Sequence, residues 1–546
     1  MPELRQPHPL GSPRLFKLRL ITALLSSHLC LAGLAQVPDQ PIVFAITGYQ
    51  VLGNTLLSAQ QIEQATRRFA TPRANFDTIQ QALESLEKTY VMAGFGLVRV
   101  ELPEQEIAAG VVTFRVIEGV LAGIKVAPNA VVDEDNVRHS LPALRLGESV
   151  NIQTLNRNLT LANESGYKVS QVTFKHGDGN SHEVVANVTL VAEPPQRWLA
   201  LADNTGSAAT GQWRSGLVYQ HGNLFNRDHS LSLQWMTSPD HLSDVHILGL
   251  GYRVPLYGLG DVVDLSASSS NVDSGQVRGA GGGPDLSISG SGLMLGLRYT
   301  HYLDASADQQ QSWHVGLEHR AYGNDVTAAG EAGSQVPDLT THPLTLGYSS
   351  RWRSEQRDVS AGLTWLKNLP GGSHGSSADF NQPGGRQGAS ASFQTLKFDF
   401  QHTERLASQW SLRGDVSGQL TDDLLIAAEQ FGAGGAYSVR GFDEREVAGD
   451  QGLRAGIELW SPSFGTDPWR ITGLAFVDAA YVSRNQPAAG EISSQSIGSA
   501  GLGLRSAYGR HLNLRADWGY VLKGVSGITG TAKSDQKLHV SAIWAF

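Results

Sequence analysis

From residue 197 to the end of the chain, apolar and polar residues alternate one by one and helical spacing disappears. In 511–520, Leu512, Leu514, Ala516, Trp518 and Tyr520 fall on one face, and His511, Asn513, Arg515 and Asp517 on the other. Residues 537–546 repeat the pattern, with Leu538, Val540, Ala542, Trp544 and Phe546 set against Lys537, His539 and Ser541. Side chains of a strand point to opposite faces in turn, so each such segment has one apolar and one polar side. Sixteen segments of this kind begin near Arg197, Trp213, His229, Asp244, Asp261, Leu293, Gln311, Thr341, Asp358, Gln394, Ser408, Leu453, Arg470, Ile497, His511 and Lys537. Alternation over about ten residues is the mark of membrane-crossing strands, apolar toward lipid and polar toward a lumen.

The connections sort into two kinds. Every even-numbered one is short: 223–228, 255–260, 304–310, 353–357, 405–407, 461–469 and 509–510. Odd-numbered ones include 272–292, 324–340, 368–393 and 420–452, long and rich in Gly, Ser and Asp. Outer-membrane barrels have short periplasmic turns and long external loops, so the parity predicts an even-stranded barrel at 196–546.

Before residue 196 the period is different. Residues 42–51 read as a strand ending at the Gly53-Asn54 turn. Ser58 and Gln61 form a capping box opening a helix to about Phe69. A second helix, from near Asp77, places Ile79, Ala82, Leu83, Leu86 and Tyr90 on one face and closes at Gly94, before strands at 97–102 and 111–118. The order recurs: strand 120–126, helices 133–141 and 151–165, strands 168–175 and 183–191, with Gly166-Tyr167 aligned on Gly94-Phe95. Two βααββ modules are therefore expected, at 41–119 and 120–195, the second ended by Pro194-Pro195.

Composition narrows the compartment. Arg14, Lys17 and Arg19 precede the apolar run 20–34, and Gly33 and Ala35 offer a cut before Gln36, so 1–35 reads as a secretory signal. The only Cys, Cys30, lies inside it; Leu29 before it is too large for a lipidation signal. The formal charge is −9, and losing 1–35 makes the chain more acidic, which disfavours nucleic acid as a partner. After the signal no apolar run is long enough for a transmembrane helix, so a membrane must be crossed by a closed barrel.

Catalytic, metal and cofactor chemistry is not expected. His182-Glu183 lacks the second histidine of a zinc-protease helix, because position 186 is Ala. The tract 279–283 has no Lys-Ser/Thr after it, and no serine is expected in a nucleophile elbow.

The repeated βααββ unit resembles the POTRA domains of outer-membrane transporters. The loop 430–450, QFGAGGAYSVRGFDEREVAGD, carries Val439, Arg440, Gly441 and Phe442, the Val-Arg-Gly-Phe motif of the barrel-insertase superfamily. Together with ADNTGSAATGQWRSGL and NLFNRDHSLSLQW in the first hairpins, the chain resembles, from about Ile42 to Phe546, the outer-membrane transporters of two-partner secretion, the hemolysin and filamentous-hemagglutinin transporter family. The fold class implied is two α+β POTRA modules followed by a transmembrane antiparallel β-barrel of about sixteen strands. The resemblance implies that Arg440 reaches into the lumen to Asp478, in Phe476-Val477-Asp478-Ala479-Ala480, where Ala480 replaces the family's usual Gly. It implies that the loop is a gate and that Trp544 and Phe546 form a signal for barrel-assembly machinery in an outer membrane. The partner expected is a large β-helical protein, unfolded in the periplasm, which needs no nucleotide to leave. With only 36–40 between the expected cut and the first strand, no plugging helix is expected. Two other readings stay open: an insertase of outer-membrane proteins, and a passive porin.

Overall fold

The computed structural model describes residues 42–546 apart from 178–181, 208–209, 244, 272–274, 278–285, 289–290, 304–307, 324–335 and 527–529. The signal-like stretch 1–35 with Cys30, and the tract 279–283, lie outside the described residues.

The first module runs β1 (Gly48–Leu52), α1 (Ala59–Thr66), α2 (Phe76–Met92), β2 (Arg99–Glu101) and β3 (Val111–Ile117). Ser58 and Gln61 form the capping box expected, satisfying backbone donors that the first helical turn cannot. Ile79, Ala82, Leu86 and Tyr90 of α2 bury against Val112, Phe114 and Val116 of β3, the helical and strand periods meeting face to face. The first strand is shorter than its sequence suggests, because Phe44 pairs with Ala74 ahead of α2 rather than with the sheet. The second module repeats the order as β4 (Val120–Val126), α3 (Glu134–Ser140), α4 (Ile152–Asn163), β5 (Lys168–His176) and β6 (Glu183–Ala192). In both sheets the last strand is central, with order β1-β3-β2 and β4-β6-β5.

Sixteen antiparallel strands then close into a barrel: β7 (Gln196–Asp203), β8 (Arg214–Leu224), β9 (His229–Thr237), β10 (Ile247–Leu256), β11 (Asp261–Ser270), β12 (Ser291–Tyr302), β13 (Gln309–Gly323), β14 (Pro343–Arg353), β15 (Arg357–Asn368), β16 (Gln394–Arg405), β17 (Ser411–Leu420), β18 (Gln451–Trp460), β19 (Trp469–Ser483), β20 (Ser494–Tyr508), β21 (Leu512–Lys523) and β22 (Gln536–Ala545). Closure removes the edge that an open sheet would leave unpaired in hydrocarbon. At the seam, Leu199 to Asp203 pair with Ser541 to Ala545, and Phe546 and Trp198 exchange both backbone hydrogen bonds, at 3.0 and 3.3 Å. Asn204 lengthens the seam from its side chain, donating to the Leu538 carbonyl and accepting from the Val540 N–H. Alternate positions point outward: Val477 is 54 %, Ile457 59 % and Leu502 60 % exposed, whereas Asp478 and Asp517 are buried inside.

The second module is fastened to the barrel's short-turn end. In the turn after β8, Phe225, Asn226 and Asp228 all have positive φ, a conformation costly for side chains other than Gly and tolerated best by Asn and Asp. Contacts from the module hold the turn there. Lys168 Nζ donates to Asp228 Oδ2 at 2.7 Å and to Asn136 Oδ1 at 2.6 Å, with both charges buried. Tyr167 and Tyr257 donate to the two oxygens of the same carboxylate, each at 2.6 Å. Burial and the adjacent Asp228 push both hydroxyls well above the usual tyrosine range, so both remain donors. Burial also pulls the Lys168 ammonium below the usual lysine range, against the opposing pull of Asp228. Asn158 donates to the Tyr257 carbonyl in the next turn at 2.9 Å, and Glu164 pairs with Arg253 at 3.1 Å and accepts from Tyr302 at 2.9 Å.

A buried ion pair broken on one side leaves an uncompensated charge, so Lys168→Met is expected to weaken this docking by about 3 kcal/mol. K168M/D228L should recover part of that, with the two hydroxyls left short of an acceptor. Protease sensitivity of the 193–196 linker in the folded, heat-modifiable barrel is the measurement; equal resistance in wild type and K168M would contradict the pair's role.

Candidate functional site

The connection 421–450 is the longest in the barrel and turns back into the lumen. It begins with one tight turn at Ala427–Glu429, continues as a ribbon pairing Phe431–Ala433 with Val447–Gly449, and carries Arg440 in the intervening tip. Val439 and Phe442 on either side of it are fully buried, packed with Ala480, Val482, Ile497 and Val521 of the wall. Those apolar residues point into the lumen, where a polar surface is usual, because the loop covers them.

Arg440 is 5 % exposed and donates four hydrogen bonds to the wall. Its Nε and Nη2 donate to Asp478 Oδ2 and Oδ1 at 2.7 and 2.8 Å, a bidentate fork. Its backbone N–H donates to Asp478 Oδ2 at 3.1 Å, and Nη1 donates to Glu458 Oε1 at 2.7 Å. The Phe476 ring lies 3.5 Å beneath the guanidinium. Asp517 stands 3.8 Å away, held by Arg505 at 2.8 Å and Arg515 at 2.5 Å. Register explains the convergence: Asp478 on β19 pairs laterally with Gly456, and Phe476 with Glu458, so residues two apart on neighbouring strands present one acidic patch.

Two glycines let the loop lie this close. Gly441 has φ +95°, which an L side chain resists, and its N–H donates to His539 Nε2 at 3.0 Å, so that nitrogen carries no proton. A Cβ on Gly519 of β21 would stand 2.6 Å from the Gly441 nitrogen and 2.9 Å from the Arg440 carbonyl carbon. Ala480 fits against Val439 and Phe442 with its methyl buried, so the departure from Gly there costs no approach.

The outer half of the loop has its own fastening. Glu429 accepts from Arg320 at 2.8 and 3.0 Å, from Tyr322 at 2.9 Å and from Thr341 at 3.0 Å. Asp450, fully buried, accepts from Arg386 at 2.8 Å, from the Asn485 N–H at 2.7 Å and from the Leu425 N–H at 2.9 Å. Leu425 and Ile426 pack with Phe380, Ala391 and Phe393 of the connection 369–393, forming a small folded core over the outer mouth.

The residues singled out in the sequence divide into two places. Val439, Arg440, Gly441, Phe442, Phe476 and Asp478 come together in the lumen. Trp544 and Phe546 lie on the outer surface at the short-turn end, their ring centroids 5.9 Å apart. Glu458, Asp517, His539 and Gly519 were not singled out, although each occupies an inward position of an alternating strand. One correction concerns serine: Gly371-Gly372-Ser373-His374-Gly375 does spell Gly-x-Ser-x-Gly. It forms an exposed turn, with Gly371 N–H bonded to the Gly375 carbonyl at 3.2 Å, and not a strand-to-helix elbow. Among the described residues no cluster of His, Cys, Asp and Glu could hold a metal.

Residues 183–506 match the family of the haemolysin secretion/activation protein ShlB/FhaC/HecB. The chain belongs to this family. Residues 44–119 match the POTRA domain of ShlB type, which is the first module. Among curated members, the outer membrane transporter CdiB of Escherichia coli is 24 % identical over 490 residues, covering 85 % of this chain and 77 % of the relative. CdiB of Dickeya dadantii (strain 3937) is 22 % identical over 476 residues, covering 83 % and 79 %. The fold is that of solved CdiB structures: the one from Escherichia coli superposes with a TM-score of 0.75 at 18 % identity, covering 94 % of this chain and 93 % of that one. The one from Acinetobacter baumannii gives 0.72 at 16 %, covering 93 % and 91 %.

Removing Arg440 strands Asp478 inside the wall, so Arg440→Ala is expected to favour release of the loop by about 3–5 kcal/mol, a shift of more than a hundredfold. Arg440→Lys keeps charge but not the fork and should fall between. Gly519→Ala should release the loop without altering any charge. Hydrogen exchange across 431–449 reports this; protection unchanged in both R440A and G519A would mean that the loop is held elsewhere.

Proposed function

We propose that the chain is an outer-membrane transporter that exports one unfolded partner polypeptide through its barrel, in the manner of two-partner secretion. The observation that carries this reading is the form of the closure. The lumen is filled by a loop held mainly through ion pairs and hydrogen bonds, which can be exchanged for water or for a passing chain, and not by a covalent or wholly apolar plug. A passive porin has no use for such a closure or for two modules hung beneath it, and membership of a secretion/activation family favours export over insertion of other barrels.

In this reading the POTRA modules stand in the periplasm and the outward apolar face meets outer-membrane lipid. The partner is a large secreted protein that folds as a β-helix outside, and folding there supplies direction without a nucleotide. Strand addition is the mode of capture. β5, nine residues long and at the edge of its sheet, offers main-chain donors and acceptors with little demand on sequence. Displacement of Arg440 from Asp478 opens the way, and Trp544 with Phe546 guides the barrel-assembly machinery.

Deleting the gene should remove a very large protein from the culture medium and leave the levels of other outer-membrane barrels unchanged. An unaltered medium would overturn the export reading, and a general fall in barrel levels would favour an insertase.

A further inference from the structure

Beneath the tip of the inserted loop, toward the short-turn end, lies a cavity of about 360 Å³ whose lining includes Arg413, Arg440, Arg454, Arg505, Arg515 and Trp460. A lumen crowded with guanidinium groups is stable only if each is neutralised, and most of these are. Arg454 pairs with Asp415 at 2.7 Å, Arg440 with Asp478 and Glu458, and Arg505 and Arg515 with Asp517. Arg413 differs: among the described residues it makes no ion pair, and it is exposed to the lumen. What holds it is the Trp460 ring, 3.8 Å from its guanidinium carbon. Arg505 approaches the same ring at 5.4 Å, and the indole N–H donates to Glu458 Oε2 at 2.8 Å.

Trp460 is out of place for an ordinary barrel. Tryptophan belongs on the lipid-facing side near the interfaces, yet this one alternates with the outward Leu459 and Ile457 and therefore faces inward. There its ring lies against the Arg413 guanidinium. Stacking holds the planar guanidinium with its donors free, so little freedom remains to be lost when an anion arrives. Arg413 is the third residue of β17 and Trp460 the last of β18, which sets the pair at the short-turn end, under the Arg440 clasp. The neighbouring wall offers Gln401 and Thr403, polar and uncharged, and Glu458, opposite Arg413 in the ladder, has its two carboxylate oxygens bonded to Arg440 and to the Trp460 N–H. The buried polar contacts of the second module are with the turns after β8 and β10, the ends of β10 and β12 and the start of β13, not with this pair.

We propose that Arg413, stacked on Trp460, is a receptor for carboxylate side chains on the extended polypeptide entering the barrel, so that acidic segments of the partner are engaged at the mouth before the inserted loop moves. This rests on the export reading and adds to it the chemistry of the first contact in the lumen. A carboxylate is the group that the free guanidinium edge of Arg413 matches in geometry as well as charge.

The test uses the full-length chain in detergent and dye-labelled synthetic peptides of Asp, Ser and Gly, of Ser and Gly alone, and of Lys, Ser and Gly, with binding read by fluorescence anisotropy. The acidic peptide should bind tightest, and more weakly as salt rises. Arg413→Gln should weaken it about three- to tenfold while leaving the neutral peptide unaffected, and Arg413→Lys should fall between. Trp460→Leu, which keeps the charge and removes its support, should weaken the acidic peptide too. Heat-modifiability of each variant checks that the barrel is folded. Equal binding of acidic and neutral peptides, or an acidic peptide indifferent to R413Q and W460L, overturns the receptor and leaves the export reading standing. Loss of the export reading would show instead as an unaltered medium in the gene deletion, which the peptide measurement does not touch.

Discussion

A guanidinium taken out of water must find its neutralising charge close by, and Arg440 finds it where β18 to β21 run side by side. That requirement organises the lumen. It sets the depth to which 421–450 descends, because the fork to Asp478 is reached only with the loop backbone against the wall. It explains the missing side chain at Gly519, which would intrude upon the loop, and the apolar lining at Val482, Ile497 and Val521, which would otherwise face water. The cluster is coupled: Glu458 serves both Arg440 and Trp460, and Asp517 serves both Arg505 and Arg515, so disturbing one member changes the surroundings of the next.

The outer fastening is of a different kind. Glu429 and Asp450 bind groups from several strands and loops, and a hydrophobic core built on Phe380, Phe393 and Leu425 lies over them. The inner clasp thus centres on the Arg440 ion pairs, and the outer one adds a small hydrophobic core to its own buried ion pairs. A moving chain meets the inner one first if it comes from the POTRA side.

Alternation is local, so it could be read directly: the barrel, its sixteen strands and the parity of its connections follow from residues that sit next to one another in sequence. The Val439 to Phe442 motif and the Phe476 to Asp478 segment were legible for another reason, their resemblance to a known family. What escaped is set by register. Glu458, Asp517, His539 and Gly519 lie on strands separated by up to a hundred residues from Arg440, and nothing in a single strand says which inward position will stand beside which. The grip of the second module on 225–228 escaped likewise, because Lys168 and Asp228 stand sixty residues apart and no local pattern joins them. The strained backbone at Phe225 is intelligible only once its partner is in place.

The asymmetry of that grip has a consequence for the whole barrel. The buried contacts of the second module gather on one side of the pore, while the arginine-lined wall of β17 to β21, which the module touches through the exposed Glu193–Arg510 pair, stands on the other. The fastened rim and the charged wall therefore face each other across the barrel end. The barrel, though closed by like strands all round, is chemically one-sided.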